Sequence, residues 1–313
     1  MTVADLLIDR RGRLRSGWRL LVFGLCFFVT IFALWLLYAV AAQLIFKVSQ
    51  EWLAAFFQSR RGLLFISLIS LAAAIFAGWL CGRWLEDLPA RALGWGRHEG
   101  WLRDLLIGSL YGGLSLGLAV LIGWAGGGYG VGARAAGASA VAANLLGSLL
   151  ILLVAAAFEE ALFRGYPLQT MLRSNPVWVA SIPSFVLFGV VHLRNPNVVP
   201  GFTFVNTALA GIWLAVGYLR TRSLWFPLGL HWAWNWMMGP VLGLPVSGIM
   251  QMSGGPLVPL VSVQSDWLTG GAYGPEGGLN STVSLIASII FLWRTKTLRA
   301  REEMKKLTSR EDE

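Results

Sequence analysis

Eight apolar runs, each near the roughly 20 residues that a helix needs to cross a bilayer, leave this chain few ways to fold. They cover approximately residues 18–46, 62–82, 104–126, 139–163, 176–193, 203–219, 224–243 and 279–294. Hydrocarbon offers a backbone N–H or C=O no partner, so a spanning segment must close its own hydrogen bonds. Unbroken apolar runs of this length therefore predict helices. Composition agrees. The 313 residues are 56% hydrophobic and 13% charged, with a mean hydropathy of +0.63, whereas soluble domains carry about 25% charge. The expected fold is all-α, a polytopic membrane protein of about eight transmembrane helices around an intramembrane cleft.

The net charge of +9 could suggest a nucleic acid, but the basic residues flank the apolar runs. That placement suits topology signals and anionic lipid headgroups, so the expected partner is the lipid bilayer and no nucleic acid. With the N-terminus inside, only Lys47, Arg60, Arg61, Arg134 and Arg194 of the 25 lysines and arginines fall on outer segments. The asymmetry predicts both termini in the cytoplasm. Cys26 and Cys81 lie in apolar runs and read as small hydrophobes, with no disulfide framework. The first apolar run is too long for a signal-peptide core and is expected to stay as an anchor.

The chain divides into residues 1–138, with three helices and no motif; 139–243, with helices four to seven; 244–278, a glycine-rich outer loop without Lys or Arg; and 279–313, the last helix and a basic tail. The loop reads as a lid or an unstructured connector, the tail as a short amphipathic or frayed helix. The fourth run could continue as one helix towards residue 173, with Pro167 kinking it or starting a separate interfacial helix. Most tryptophans sit at run ends as interfacial anchors. Trp232, Trp234 and Trp236 instead surround His231 and Asn235, and either wall a cleft or pack against neighbouring helices.

Chemistry concentrates at the end of the fourth run, where Glu159 and Glu160 follow a stretch of aliphatic residues. Charge at membrane depth costs several kcal/mol, so it is kept for a task or a partner. Residues four apart share a helix face, so Glu160 can pair with Arg164, while Glu159 points elsewhere. The paired acid holds structure; the free, desolvated one suits a general base. Structural pairing of both acids with interfacial arginines is the alternative. Phe188 and His192 are also four apart, as are His231 and Asn235. His98, in a polar loop, reads as surface. An acid, two imidazoles and an amide at membrane depth fit amide hydrolysis in two ways. His192, His231 and Glu159 could ligate a zinc ion that activates water, with Asn235 orienting. Otherwise Glu159, assisted by His192, activates water directly while His231 and Asn235 donate to the oxyanion. Neither cysteine lies near these residues and no Gly-x-Ser-x-Gly elbow is present.

These residues resemble the CPBP family, the type II CAAX prenyl endopeptidases and related bacteriocin-processing or immunity-associated membrane proteins. Glu159, Glu160 and Arg164, followed by Gly165 and Tyr166, match its Glu-Glu-x-x-x-Arg motif. Phe188 and His192 match Phe-x-x-x-His, and His231 and Asn235 match His-x-x-x-Asn. The resemblance covers roughly residues 155–240. It implies an eight-helix intramembrane endopeptidase acting on a peptide or membrane-protein substrate. Glu159 is then the water-activating residue, His192, His231 and Asn235 complete the site, and Glu160, Arg164 and Phe188 support it. The family has been described both as metalloprotease and as metal-free glutamate protease. The basic flanks suggest a bacterial inner (plasma) membrane, where a prenylated CAAX substrate is not expected. A non-catalytic immunity or scaffolding protein that kept the motifs is one rival. A proton-coupled transporter is another, though the sequence shows no internal repeat.

One geometric difficulty stands. On straight spans, His192 lies about 24 Å into the fifth run and His231 only about 10 Å into the seventh. Straight spans do not bring them together; either the fifth segment is tilted or partly re-entrant, or the run boundaries lie elsewhere.

Overall fold

All eight apolar runs are helical in the computed structural model, which describes residues 6–9, 12–133, 136–263 and 266–308. Arg10, Arg11, Arg134 and Arg310, which entered the orientation argument, lie outside the described residues. Helix α1 spans Ser16–Val40 and runs on through a π turn, Ala41–Ile45. A short α2, Gln50–Gln58, leads to α3, Arg60–Glu86. The side chains of Ser49 and Ser59 accept backbone N–H groups at the starts of α2 and α3, satisfying donors that a helix N-terminus leaves open. Then come α4, Trp101–Ala125, and α5, Ala138–Phe163. The core continues with α6, Tyr166–Ser174, α7, Val177–His192, α8, Phe202–Thr221, and α9, Trp225–Trp236. After the long loop come α10, Asp266–Thr269, α11, Leu279–Arg294, and α12, Glu302–Thr308.

The protein is an all-α polytopic membrane protein. Five helical stretches, Ser16–Ile45, Arg60–Glu86, Trp101–Ala125, Ala138–Ser174 and Phe202–Thr221, are long and apolar enough to cross a bilayer. The remaining three predicted spans are shorter: α7 and α11 have 16 residues each and α9 has 12, extended by a π turn at Met237–Val241. Large apolar side chains such as Phe28, Phe32, Leu44 and Leu121 project from the bundle, as lipid-facing positions do.

Lipid supplies no hydrophobic force between helices, so close backbone packing and polar ties must hold them. Both are present. Gly108 and Gly112 of α4, one turn apart, face α9 so closely that a Cβ on either would lie 2.2 Å from a carbonyl oxygen, of Phe226 and Leu230 respectively. Gly229 answers from α9, where a Cβ would lie 2.2 Å from Leu105 O. At one end of the bundle Glu86 joins α1, α3 and α6. It accepts from Arg19 Nη1 at 2.7 Å and from Arg173 Nε and Nη2 at 3.0 Å each, all of it buried. The tail docks at this end too, with Met304 and Thr308 of α12 buried and Arg220 donating to the Leu298 carbonyl. It is a packed amphipathic helix.

The opposite end belongs to residues 242–278. An unstructured connector is not what the structure shows there. Strand β1, Tyr129–Val131, pairs antiparallel with β2, Leu260–Ser262. Arg60 Nε donates to Gln251 O at 3.2 Å and Asn195 Nδ2 to Ser247 O at 3.1 Å. Tyr273 is 0% exposed. The loop folds because its carbonyls find side-chain donors on the helix ends beneath it. His98 also departs from expectation. It is buried, its Nε2 3.1 Å from Ser223 Oγ and 3.5 Å from Asp104 Oδ2, because the chain folds back over it at residues 221–225.

Candidate active site

The chain breaks between α5 and α6 at Gly165, where a Cβ would lie 2.3 Å from Ala161 O. Pro167 sits in the first turn of α6, where its missing N–H costs nothing. So α6 is a separate helix, and it resolves the depth problem. From Glu159 the chain runs 15 residues on to Ser174, and from Val177 it returns 15 residues to His192. At about 1.5 Å per residue the two legs are equal, and His192 comes back to the level of Glu159. Straightness of α7 is compatible with that; the missing piece was the descent through α6.

Glu159 and Glu160 have unequal surroundings, as the helix geometry predicts. The Glu160 side chain is 0% exposed and Oε1 receives Arg164 Nη1 at 3.3 Å and His231 Nδ1 at 2.9 Å. Arg164 is equally buried and donates from Nη2 to Gly211 O on α8 at 3.2 Å. Its guanidinium carbon lies 4.4 Å from the centre of the Phe188 ring, a cation–π contact. Phe188 thus touches three of the other motif residues. Its ring centre is 4.6 Å from that of His192 and 6.0 Å from that of His231.

Glu159 makes no ion pair with an arginine among the described residues. Its side chain is 26% exposed, and Oε2 lies 4.0 Å from His192 Nε2 and 3.7 Å from His231 Nε2. Those separations exceed a hydrogen bond, and Oε2 has no hydrogen-bond partner. The tautomers follow from the other ring nitrogens. His192 Nδ1 is 2.6 Å from Phe188 O, and His231 Nδ1 is 2.9 Å from the Glu160 carboxylate. Both partners accept only, so Nδ1 carries the proton in each ring. In the neutral rings both Nε2 lone pairs then face Glu159. Asn235 stands one turn beyond His231 on α9, half-buried and without a hydrogen bond among the described residues. Six of the motif residues are therefore linked in one neighbourhood, with Glu159, His192 and His231 in direct approach, and Asn235 lies one helical turn from His231 on α9.

Sequence reasoning missed what aims α9. The indoles of Trp232 and Trp236 donate to Leu149 O and Leu145 O on α5 at 3.1 Å each, and Trp234 donates to Glu276 Oε1 at 3.2 Å. The three tryptophans pack and tether. The spacing of Gly108 and Gly112 was a legible signal for a close helix contact; nothing in the sequence named Glu276.

Metal ligation was one of the two chemistries expected. Among the described residues no three His, Cys, Asp or Glu side chains are arranged to enclose a metal ion.

Residues 141–237 match the family model described as Rce1-like, type II CAAX prenyl endopeptidase Rce1-like. The matched segment takes in all three motifs. No curated protein and no solved structure matches the chain significantly.

Proposed function

We propose that the chain is a membrane protease of the CPBP family, as the match of residues 141–237 to the type II CAAX prenyl endopeptidase Rce1-like model supports, and that it cleaves peptide bonds within the membrane with water activated by Glu159. One observation supports this most. Three acceptors, Glu159 Oε2, His192 Nε2 and His231 Nε2, converge at 3.7 and 4.0 Å with no donor of their own to place between them. A water molecule placed there donates to two of the three at a time.

The steps follow from the roles. Glu159 takes a proton from the water as its oxygen attacks the substrate carbonyl carbon. His192, locked by Phe188 O, holds the water from the other side. In the reacting form His231 Nε2 carries a second proton drawn from bulk water before the attack and kept through the cycle, which makes the ring a donor, with the Glu160 carboxylate at Nδ1 offsetting the charge. His231 and the Asn235 amide then donate to the oxyanion. The proton held by Glu159 passes to the leaving nitrogen as the C–N bond breaks, giving one amine and one carboxylic acid, which ionises by releasing its proton to bulk water. Glu160, Arg164 and Phe188 hold the frame. No step here passes through a metal.

The substrate is a peptide or membrane protein whose scissile bond reaches Glu159. The end of the bundle with α6 and α12 carries most of the basic residues, which supports a plasma membrane setting with both termini cytoplasmic. The test is cleavage of an internally quenched peptide panel, with and without a prenylated cysteine, by proteoliposomes with a chelator, zinc add-back and Glu159→Ala. The expected result is chelator-resistant cleavage that Glu159→Ala abolishes. Cleavage lost to the chelator and restored by zinc would favour the metal route. Full cleavage by Glu159→Ala would overturn Glu159 as the water-activating residue, and absence of cleavage by the wild type would favour a scaffold or transporter.

A further inference from the structure

Residues 244–278 contain two acids, Asp266 and Glu276, and no Lys or Arg. Among the described residues Glu276 makes no ion pair, yet both its carboxylate oxygens are engaged. Oε1 accepts the Trp234 indole N–H at 3.2 Å. Oε2 accepts the Ser247 backbone N–H at 2.8 Å and the Ser247 hydroxyl at 2.7 Å. Its backbone carbonyl accepts from Asn206 of α8 at 2.9 Å. Three neutral donors converge on one carboxylate at the loop end of the bundle.

Each donor leads back to the site. Trp234 lies between His231 and Asn235 on α9. A buried indole tethered at its tip fixes the rotation of a helix only 12 residues long. Ser247, held with φ at +48°, passes its carbonyl to the Asn195 side chain at 3.1 Å. Asn195 follows His192 by one turn and its N–H donates to His192 O at 3.1 Å. The loop presses close here, since a Cβ on Gly248 would lie 2.1 Å from Pro196 O. One carboxylate thus connects the helix carrying His231 to the turn that ends the helix carrying His192.

We infer that Glu276 is a positioning residue, setting the register between His192 and His231 from outside the motif segment through Trp234 on one side and Ser247 and Asn195 on the other. It touches no reacting atom. Its requirement is for two acceptor oxygens. A glutamine places its NH₂ against either the indole N–H or the Ser247 N–H, a donor facing a donor. Trp234→Phe removes the same link from its other side, so combined with Glu276→Gln it is expected to add no further shift at His231.

The chain has 3 histidines, and the third, His98, sits at the other end of the bundle against Ser223. Histidine-selective ¹⁵N labelling therefore reports both site rings with an internal control. Glu276→Gln is expected to move the His192 and His231 ring signals and leave His98 in place, Trp234→Phe to move His231, and the double variant to shift His231 no further than Glu276→Gln does. On the quenched-peptide assay the single variant is expected to lose about tenfold in kcat with KM unchanged, since small misplacements of reacting groups are costly. The kinetic arm rests on the hydrolytic reading; the ring signals do not, so a failure of that reading at Glu159→Ala leaves Glu276 still decided by the spectra. Unmoved His192 and His231 signals, a shift shared equally by His98, or a double variant whose His231 shift is the sum of the two single shifts would overturn the inference.

Discussion

The two helices that bring imidazoles to Glu159 stand on different supports. Helix α9 is enclosed. Glycines of α4 meet its backbone on one side, the indoles of Trp232 and Trp236 reach α5, and Trp234 reaches the loop. None of its large apolar residues is exposed, whereas on α7 Trp178, Ile182, Leu187, Val190 and Val191 are, and Pro183 interrupts its hydrogen-bond ladder. Helix α7 leans on α8, where a Cβ on Gly211 would lie 2.8 Å from the Phe185 backbone, and on the contact of Phe188 with Arg164. His231 sits on an enclosed helix, and His192 on one whose apolar face is exposed.

The largest effect should come from filling the α4–α9 seam. Gly112→Leu puts a side chain where the Leu230 carbonyl lies, so the variant should fail to give a folded monodisperse protein in detergent, as size-exclusion chromatography would show. A variant that elutes and melts like wild type would break the picture of α9 as the enclosed helix. Next is Arg164→Ala, which leaves Glu160 a buried charge without its guanidinium and frees Phe188. Breaking a buried pair from one side costs about 3–5 kcal/mol, so a clearly lowered melting temperature is expected, along with faster amide exchange in α7 than in α9. Equal protection of both helices would erase the distinction. Trp232→Phe removes one indole hydrogen bond and should cost about 1 kcal/mol, measurable as a small drop in melting temperature. Smallest is Leu187→Ala on the exposed face of α7, expected to stay within about 0.5 kcal/mol of wild type.

Legibility follows the range of the interactions. The spans show in the sequence because a bilayer demands apolar length, and length is local. Glu160 with Arg164, Phe188 with His192 and His231 with Asn235 show because a helix turn puts residues four apart on one face. What lies outside is held by contacts distant in sequence. Trp234 meets Glu276 across 42 positions and Ser247 meets it across 29. His98 reads as surface because its neighbours are Arg97 and Glu99, and is buried by Ser223, 125 positions away. The depth of His192 is misjudged when α6 is left out of the path, since a short helix beyond Gly165 has no apolar signature of its own. Gly108 and Gly112 declare a close contact but not its partner.

In the proposed mechanism adjacent acids divide the work, Glu159 reacting and Glu160 holding. The most direct test is the peptide cleavage rate of Glu159→Gln in proteoliposomes. It should fall to about a hundredth of wild type or lower, the scale of a lost general base, while the melting temperature stays put. A rate within threefold of wild type would contradict it.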